Sequence, residues 1–132
     1  MSTTPAPEPS AAPLGRGGLT RRDDAVVEPQ SWGRLEWMVS DALGNSDTLT
    51  IGKCFIDPGQ HNPAHHHPNC DEVLHVLHGR IRHRVGDAYV EMGPGDTISI
   101  PQGAIHNAEN LGDDVAEFVI TFSTARREVV GE

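Results

Sequence analysis

From Trp32 onward, short apolar runs alternate with polar positions at period two, and Gly, Pro, Asn and Asp clusters cut them apart. Successive side chains of a strand point to opposite faces, so this pattern predicts an all-β sandwich or barrel with no helix of ordinary length. Strands are expected over residues 34–39, 48–56, 65–67, 72–78, 80–85, 88–92, 97–100 and 115–122. The turns fall at Asp57-Pro58-Gly59, Gly79, Gly86-Asp87 and Gly93-Pro94-Gly95-Asp96, residue types that bend a chain at little steric cost. Leu74, Val76, Ile81, Val85, Ile98, Ile100, Phe118 and Ile120 share the inward parity and form the expected pocket wall. Val73 and Leu77 have the opposite parity yet are also apolar, so strand 72–78 is expected to be covered on both faces, by the 34–39 arm or by a second subunit.

Residues 1–30 read differently. Five of the ten prolines lie in the first 29 positions among many Ala, Ser, Thr and Gly, which leaves too little apolar surface to offset the entropy of ordering. The expectation is a disordered tail over 1–30 and one β-domain over 31–132, within the usual length of a single domain.

All eight histidines lie between His61 and His106. His65 and His67 are two apart on an expected strand, so both imidazoles project to one face while His66 points away. Glu72 opens an apolar strand, where an inward carboxylate needs a cation or full hydrogen bonding. His106, after the Pro101-Gln102-Gly103 turn, can return a third imidazole to the same cavity. Imidazole and carboxylate ligands suit Fe, Mn, Ni, Co, Zn or Cu. On strand 80–85, Ile81, His83 and Val85 oppose Arg80, Arg82 and Arg84. His83 therefore points inward, either as a hydrogen-bonding or proton-carrying group beside the metal or as a structural histidine held by backbone. His61 is expected in a solvated loop, His75 and His78 on the outer surface or an edge, and Cys70 as an inert thiol with no activating charge.

These positions fall into two runs. The first is Gly59, His65, His67, Glu72 and Gly79; the second is Gly95, Pro101, Gly103, His106 and Asn110. In both runs the chain resembles the cupin superfamily, whose signatures have the forms G-x5-H-x-H-x4-E-x6-G and G-x5-P-x-G-x2-H-x3-N. The resemblance implies a single small cupin barrel, of the jelly-roll or double-stranded β-helix type, with His65, His67, Glu72 and His106 as the ligands of one divalent metal per chain. It further implies a metal-dependent enzyme acting on a small organic molecule, foremost a dioxygenase-type oxidoreductase. The alternatives are a non-redox isomerase, cyclase or lyase, and a ligand-binding barrel without turnover. A homodimer is the expected assembly, as in many cupins.

Charge narrows the partners. With 10 Lys+Arg against 19 Asp+Glu, the net charge of −9 repels nucleic acid and anionic membrane. Cys54 and Cys70 form neither a C-x-x-C pair nor a zinc-ribbon pattern, so no disulfide framework is indicated. The chain shows no signal-peptide core and no apolar run long enough to span a bilayer. A cytoplasmic protein is expected.

Overall fold

The computed structural model describes residues 18–132; the part of the expected tail at 1–17 lies outside it. After a short 3-10 turn at Arg22–Asp24, eleven strands follow among the described residues: β1 (Val26–Gln30), β2 (Gly33–Val39), β3 (Thr50–Ile56), β4 (His65–His66), β5 (Glu72–His78), β6 (Ile81–Val85), β7 (Ala88–Met92), β8 (Thr97–Ile100), β9 (His106–Asn110), β10 (Ala116–Phe122) and β11 (Val130–Gly131). They form two antiparallel sheets. One runs β1-β2-β3-β10-β5-β8 and the other β11-β4-β9-β6-β7.

The core draws on both sheets. Cys54 and Ile56 of β3, Leu74 and Val76 of β5, and Phe118, Ile120 and Phe122 of β10 pack with Ile81 of β6, Met92 of β7 and Ala108 of β9. The period-two pattern produces this directly. In β10 the residues Ala116, Phe118, Ile120 and Phe122 are buried and those between them are half-buried. In β5 burial alternates through Glu72, Leu74 and Val76, leaving Val73 and Leu77 exposed at 40% and 42%. Among the described residues no helix is long and apolar enough to cross a membrane.

Two sequence expectations need correction. Residues 26–30, assigned to the tail, instead form β1, paired with β2 from Val26 opposite Trp37 to Gln30 opposite Gly33. All five β1 side chains are exposed, so no alternation marks the strand. Pro29 is tolerated because β1 is a sheet edge, where a missing N–H costs no ladder bond. The 34–39 arm, in turn, does not cover Val73 and Leu77. As part of β2 it pairs with β3, two strands away from β5 in the sheet order.

Strand β9 also escapes the pattern, because its buried residues are His106, Ala108 and Asn110, only one of them apolar. Asn110 is held by three hydrogen bonds of its side-chain amide. Its Nδ2 donates to the Ile56 carbonyl at 2.9 Å and the Asp114 carbonyl at 2.8 Å, while its Oδ1 accepts from the Gly112 N–H at 2.8 Å. One buried amide thus ties the end of β9 to the end of β3 in the other sheet.

Two glycines allow close approach rather than turning. Gly33 has φ +156°, and a Cβ there would overlap the Phe55 carbonyl. At Gly52 a Cβ would meet the Trp37 ring at 2.5 Å; the bare backbone of β3 is the floor on which that indole lies.

Candidate metal centre

The barrel brings His65, His67, Glu72 and His106 together from both sheets. His65 on β4 is the register partner of His106 on β9, His67 follows directly after β4, and Glu72 opens β5 opposite Ile100 and Phe122. One donor atom from each residue lies within 4.8 Å of every other. His67, Glu72 and His106 are buried, and His65 is half-buried.

Backbone carbonyls set the imidazole tautomers. The Nδ1–H of His65 donates to Pro63 at 2.8 Å, that of His67 to Glu128 at 2.8 Å and that of His106 to Ala104 at 2.9 Å. A carbonyl only accepts, so each Nδ1 carries the proton, and Nε2 of each neutral ring presents its lone pair. Nε2 of His106 stands 3.0 Å and Nε2 of His67 3.2 Å from Glu72 Oε1. The His67 nitrogen lies buried there without a hydrogen-bond partner. A cation among these four donors would compensate the buried carboxylate and take the place of the His106–Glu72 hydrogen bond. Three imidazoles oriented by backbone and one carboxylate fit a divalent transition metal.

The charges agree with this reading. Burial opposes ionisation of Glu72, but the His106 and His67 imidazoles outweigh it and hold the carboxyl down at about 2. Burial, reinforced by His106, pushes His65 down to about 4 and His83 likewise to about 4. Between pH 6.5 and 4 the unfolded chain therefore binds protons at these two histidines that the folded metal-free chain does not. His106 acts in the opposite sense: burial disfavours its charge, but Glu72 raises it above 6.5. Its stabilisation is complete below the unfolded value and lost as pH rises through the folded one. Two groups against one predict that metal-free protein has a lower urea midpoint at about pH 5 than at about pH 6.5; equal midpoints would contradict these shifts.

The four residues face a cavity of about 310 Å³. Leu74, Phe118 and Ile120 line it as expected, whereas Val76, Ile81 and Ile100 belong to the core without reaching it, and Val85 and Ile98 pack partly buried against that core. His83 is 1% exposed, lines the cavity and stacks on His106 with ring centroids 5.8 Å apart. Its Nδ1 has no hydrogen-bond partner, so the backbone-held alternative finds no bond at that atom. His61 is exposed and bridges to Glu109 outside the cavity. His75 bonds Thr97 Oγ1 at 2.7 Å on the outer face, and His78 is exposed. Cys70 is a buried free thiol away from the cavity, while Cys54, whose thiol burial pushes up well above its ordinary value, lines it.

Sequence reasoning did not find Trp32, Trp37 or Arg127 in the cavity wall. Trp37 carried a signal in the parity of its strand. Arg127, beyond the last expected strand, carried none.

Residues 52–122 match the family model described as the cupin domain, a span that includes both histidine runs and all four clustered residues. This chain is a cupin.

Germin-like protein 3-8 of Oryza sativa subsp. japonica is 33% identical to this cupin over 91 residues, covering 65% of the chain and 40% of that protein. Germin-like protein subfamily 3 member 1 of Arabidopsis thaliana is 38% identical over 82 residues, 58% of the chain and 39% of the relative. The cupin thus spans about two fifths of these relatives' lengths. Among solved structures, a formate complex of Lactobacillus farciminis oxalate decarboxylase superposes with a TM-score of 0.76 at 21% identity, over 83% of this chain and 34% of that one. Bacillus subtilis oxalate decarboxylase, in a study of its Mn(II) centres, gives 0.74 at 23%, over 80% and 29%. At such identity the likeness is one of fold.

Proposed function

We propose that this cupin holds one divalent metal through His65, His67, Glu72 and His106 and is an enzyme for a small organic molecule bound in the adjoining cavity. The observation that carries the reading is the orientation of the donors. Pro63, Glu128 and Ala104 hold the Nδ1 side of the three rings, and one donor atom of each ring lies within 4.8 Å of the others and of a Glu72 carboxylate oxygen. Four protein ligands leave about two positions open on an octahedral ion. When bound, such an ion supplies Lewis acidity and, if redox-active, electron transfer to dioxygen. The foremost form of the proposal is a dioxygenase-type oxidoreductase, supported by the four-ligand set beside a cavity walled in part by Leu74, Phe118, Ile120 and Phe122. A homodimer is kept within the proposal; exposed Val73 and Leu77 offer it apolar surface.

A non-redox isomerase, cyclase or lyase is the second reading, and His83 favours it. A buried ring with an unpartnered nitrogen in the cavity wall can hold or move a proton at a bound molecule. Oxygen-electrode measurements on iron- or manganese-loaded protein, run against a panel of small organic acids and phenols with product analysis, separate the two. Substrate-dependent oxygen uptake is expected; product without oxygen uptake transfers the proposal to the second reading, and neither sinks both. His83→Phe is expected to keep the metal and lower turnover roughly 100-fold. Unchanged turnover would remove His83 from the chemistry.

A further inference from the structure

Arg127 lies between β10 and β11, and its guanidinium forms part of the cavity wall. Its Cζ sits 4.2 Å from the Trp37 ring centroid and 5.3 Å from that of Phe122, and the Phe122 ring lies 4.9 Å from the ring of His67. The cation is therefore on the aromatic wall that continues to the metal ligands. Other arginines find carboxylates: Arg34 meets Glu36 at 2.7 Å, Arg84 meets Glu132 at 3.0 Å and neighbouring Arg126 meets Asp41 at 3.2 Å. Arg127 makes no hydrogen bond or ion pair among the described residues. Glu28, whose charge bears on it, has its Oε2 engaged by the Trp37 Nε1–H at 3.0 Å.

A half-buried guanidinium with no partner leaves costly donors unused. Stacking on Trp37 occupies its face, so its in-plane N–H fork is left for a planar acceptor, which a carboxylate matches bidentately. The cavity, about 310 Å³, is at the small end of ligand sites. We infer that Arg127 is the specificity residue of this cavity, receiving one carboxylate of a small organic acid whose other end carries an oxygen donor for the metal that the four clustered residues would hold. The inference rests on the metal reading above and names the substrate class for it. On an acidic protein of net charge −9, a local cation is what allows an anion to settle in the cavity.

The test uses the full chain, stripped and zinc-loaded, with metal content measured on each preparation. Calorimetric titration with oxalate, malonate and succinate, and with malonamide as the neutral control, is run on wild type, Arg127→Met and Arg127→Lys. The methionine keeps an apolar stem against Trp37, and the lysine keeps the charge without the fork. At least one dicarboxylate is expected to bind loaded wild type, more tightly than malonamide, and to weaken roughly 10- to 100-fold in Arg127→Met, with Arg127→Lys between. Metal content should be the same in all three. Loaded protein that binds no dicarboxylate, or binds it equally after Arg127→Met, overturns the role of Arg127. Failure to take up metal overturns the metal reading instead. Titration of the stripped chains then decides Arg127 alone: weaker binding in Arg127→Met supports it, and equal or absent binding overturns it.

Discussion

Replacing Glu72 by Ala, or His106 by Ala, is expected to take the protein from about one metal ion per chain to almost none. Glu72 is the only carboxylate in the cluster and supplies the negative charge that neutral imidazoles do not. Its Oε1 faces Nε2 of both His67 and His106, so its removal leaves three lone pairs converging without an anion to balance the ion. Loss of a partner that merely orients a ligand already costs about 10- to 100-fold in affinity, and loss of a ligand should exceed that. Elemental mass spectrometry after growth in metal-supplemented medium gives the content. A thermal scan gives the linkage: an ion at about 1,000 times its dissociation constant stabilises the wild type by about 4 kcal/mol, and that rise should vanish in both variants. Either variant retaining a full ion with wild-type affinity would remove the site.

The second large effect is at Gly33, outside both histidine runs. Gly33→Ala should cost about 3 kcal/mol, read as a lower urea midpoint with an unchanged slope. A methyl group there overlaps the Phe55 carbonyl, with the Phe55 carbonyl carbon at 2.9 Å and Ile56 Cα at 3.1 Å. Every obstacle is backbone, so relief requires moving β2 off β3. The same displacement would shift Trp32, whose carbonyl accepts from the Asp57 N–H at 2.9 Å and whose side chain lines the cavity. Gly93→Ala is the control, since no atom lies within 4 Å of the point its methyl group would occupy; its effect should stay within about 0.5 kcal/mol. Equal midpoints for the two variants would show that the sheet yields at Gly33.

What the sequence made legible follows from where hydrophobicity alternates. Strands β5, β7 and β8 fall on the expected spans, and β10 begins one residue late; β5, β8 and β10 turn alternate residues to the core, whereas β7, exposed from Ala88 to Glu91, was bounded by its turns. The inward parity of Glu72 and His83 was readable for the same reason. Strand β9 was hidden because its buried face is His106, Ala108 and Asn110, held by hydrogen bonds and the site rather than by apolar burial. Strand β1 was hidden because it buries nothing and depends on its neighbour. The cluster was legible where spacing along the chain brings ligands together, as for His65 and His67, and through its resemblance for His106. Arg127 was not, since only tertiary folding places its guanidinium over Trp37.

The 128–131 segment has a consequence for how the protein is made. The His67 ring is aimed by the carbonyl of Glu128, 61 residues further along the chain, and β4 gains its second neighbour only when Val130 and Gly131 dock against it. Until the 128–131 segment has docked, His67 lacks the acceptor that sets its proton. Before that docking one of the four donors is free to rotate, so metal acquisition should follow, rather than guide, completion of the barrel.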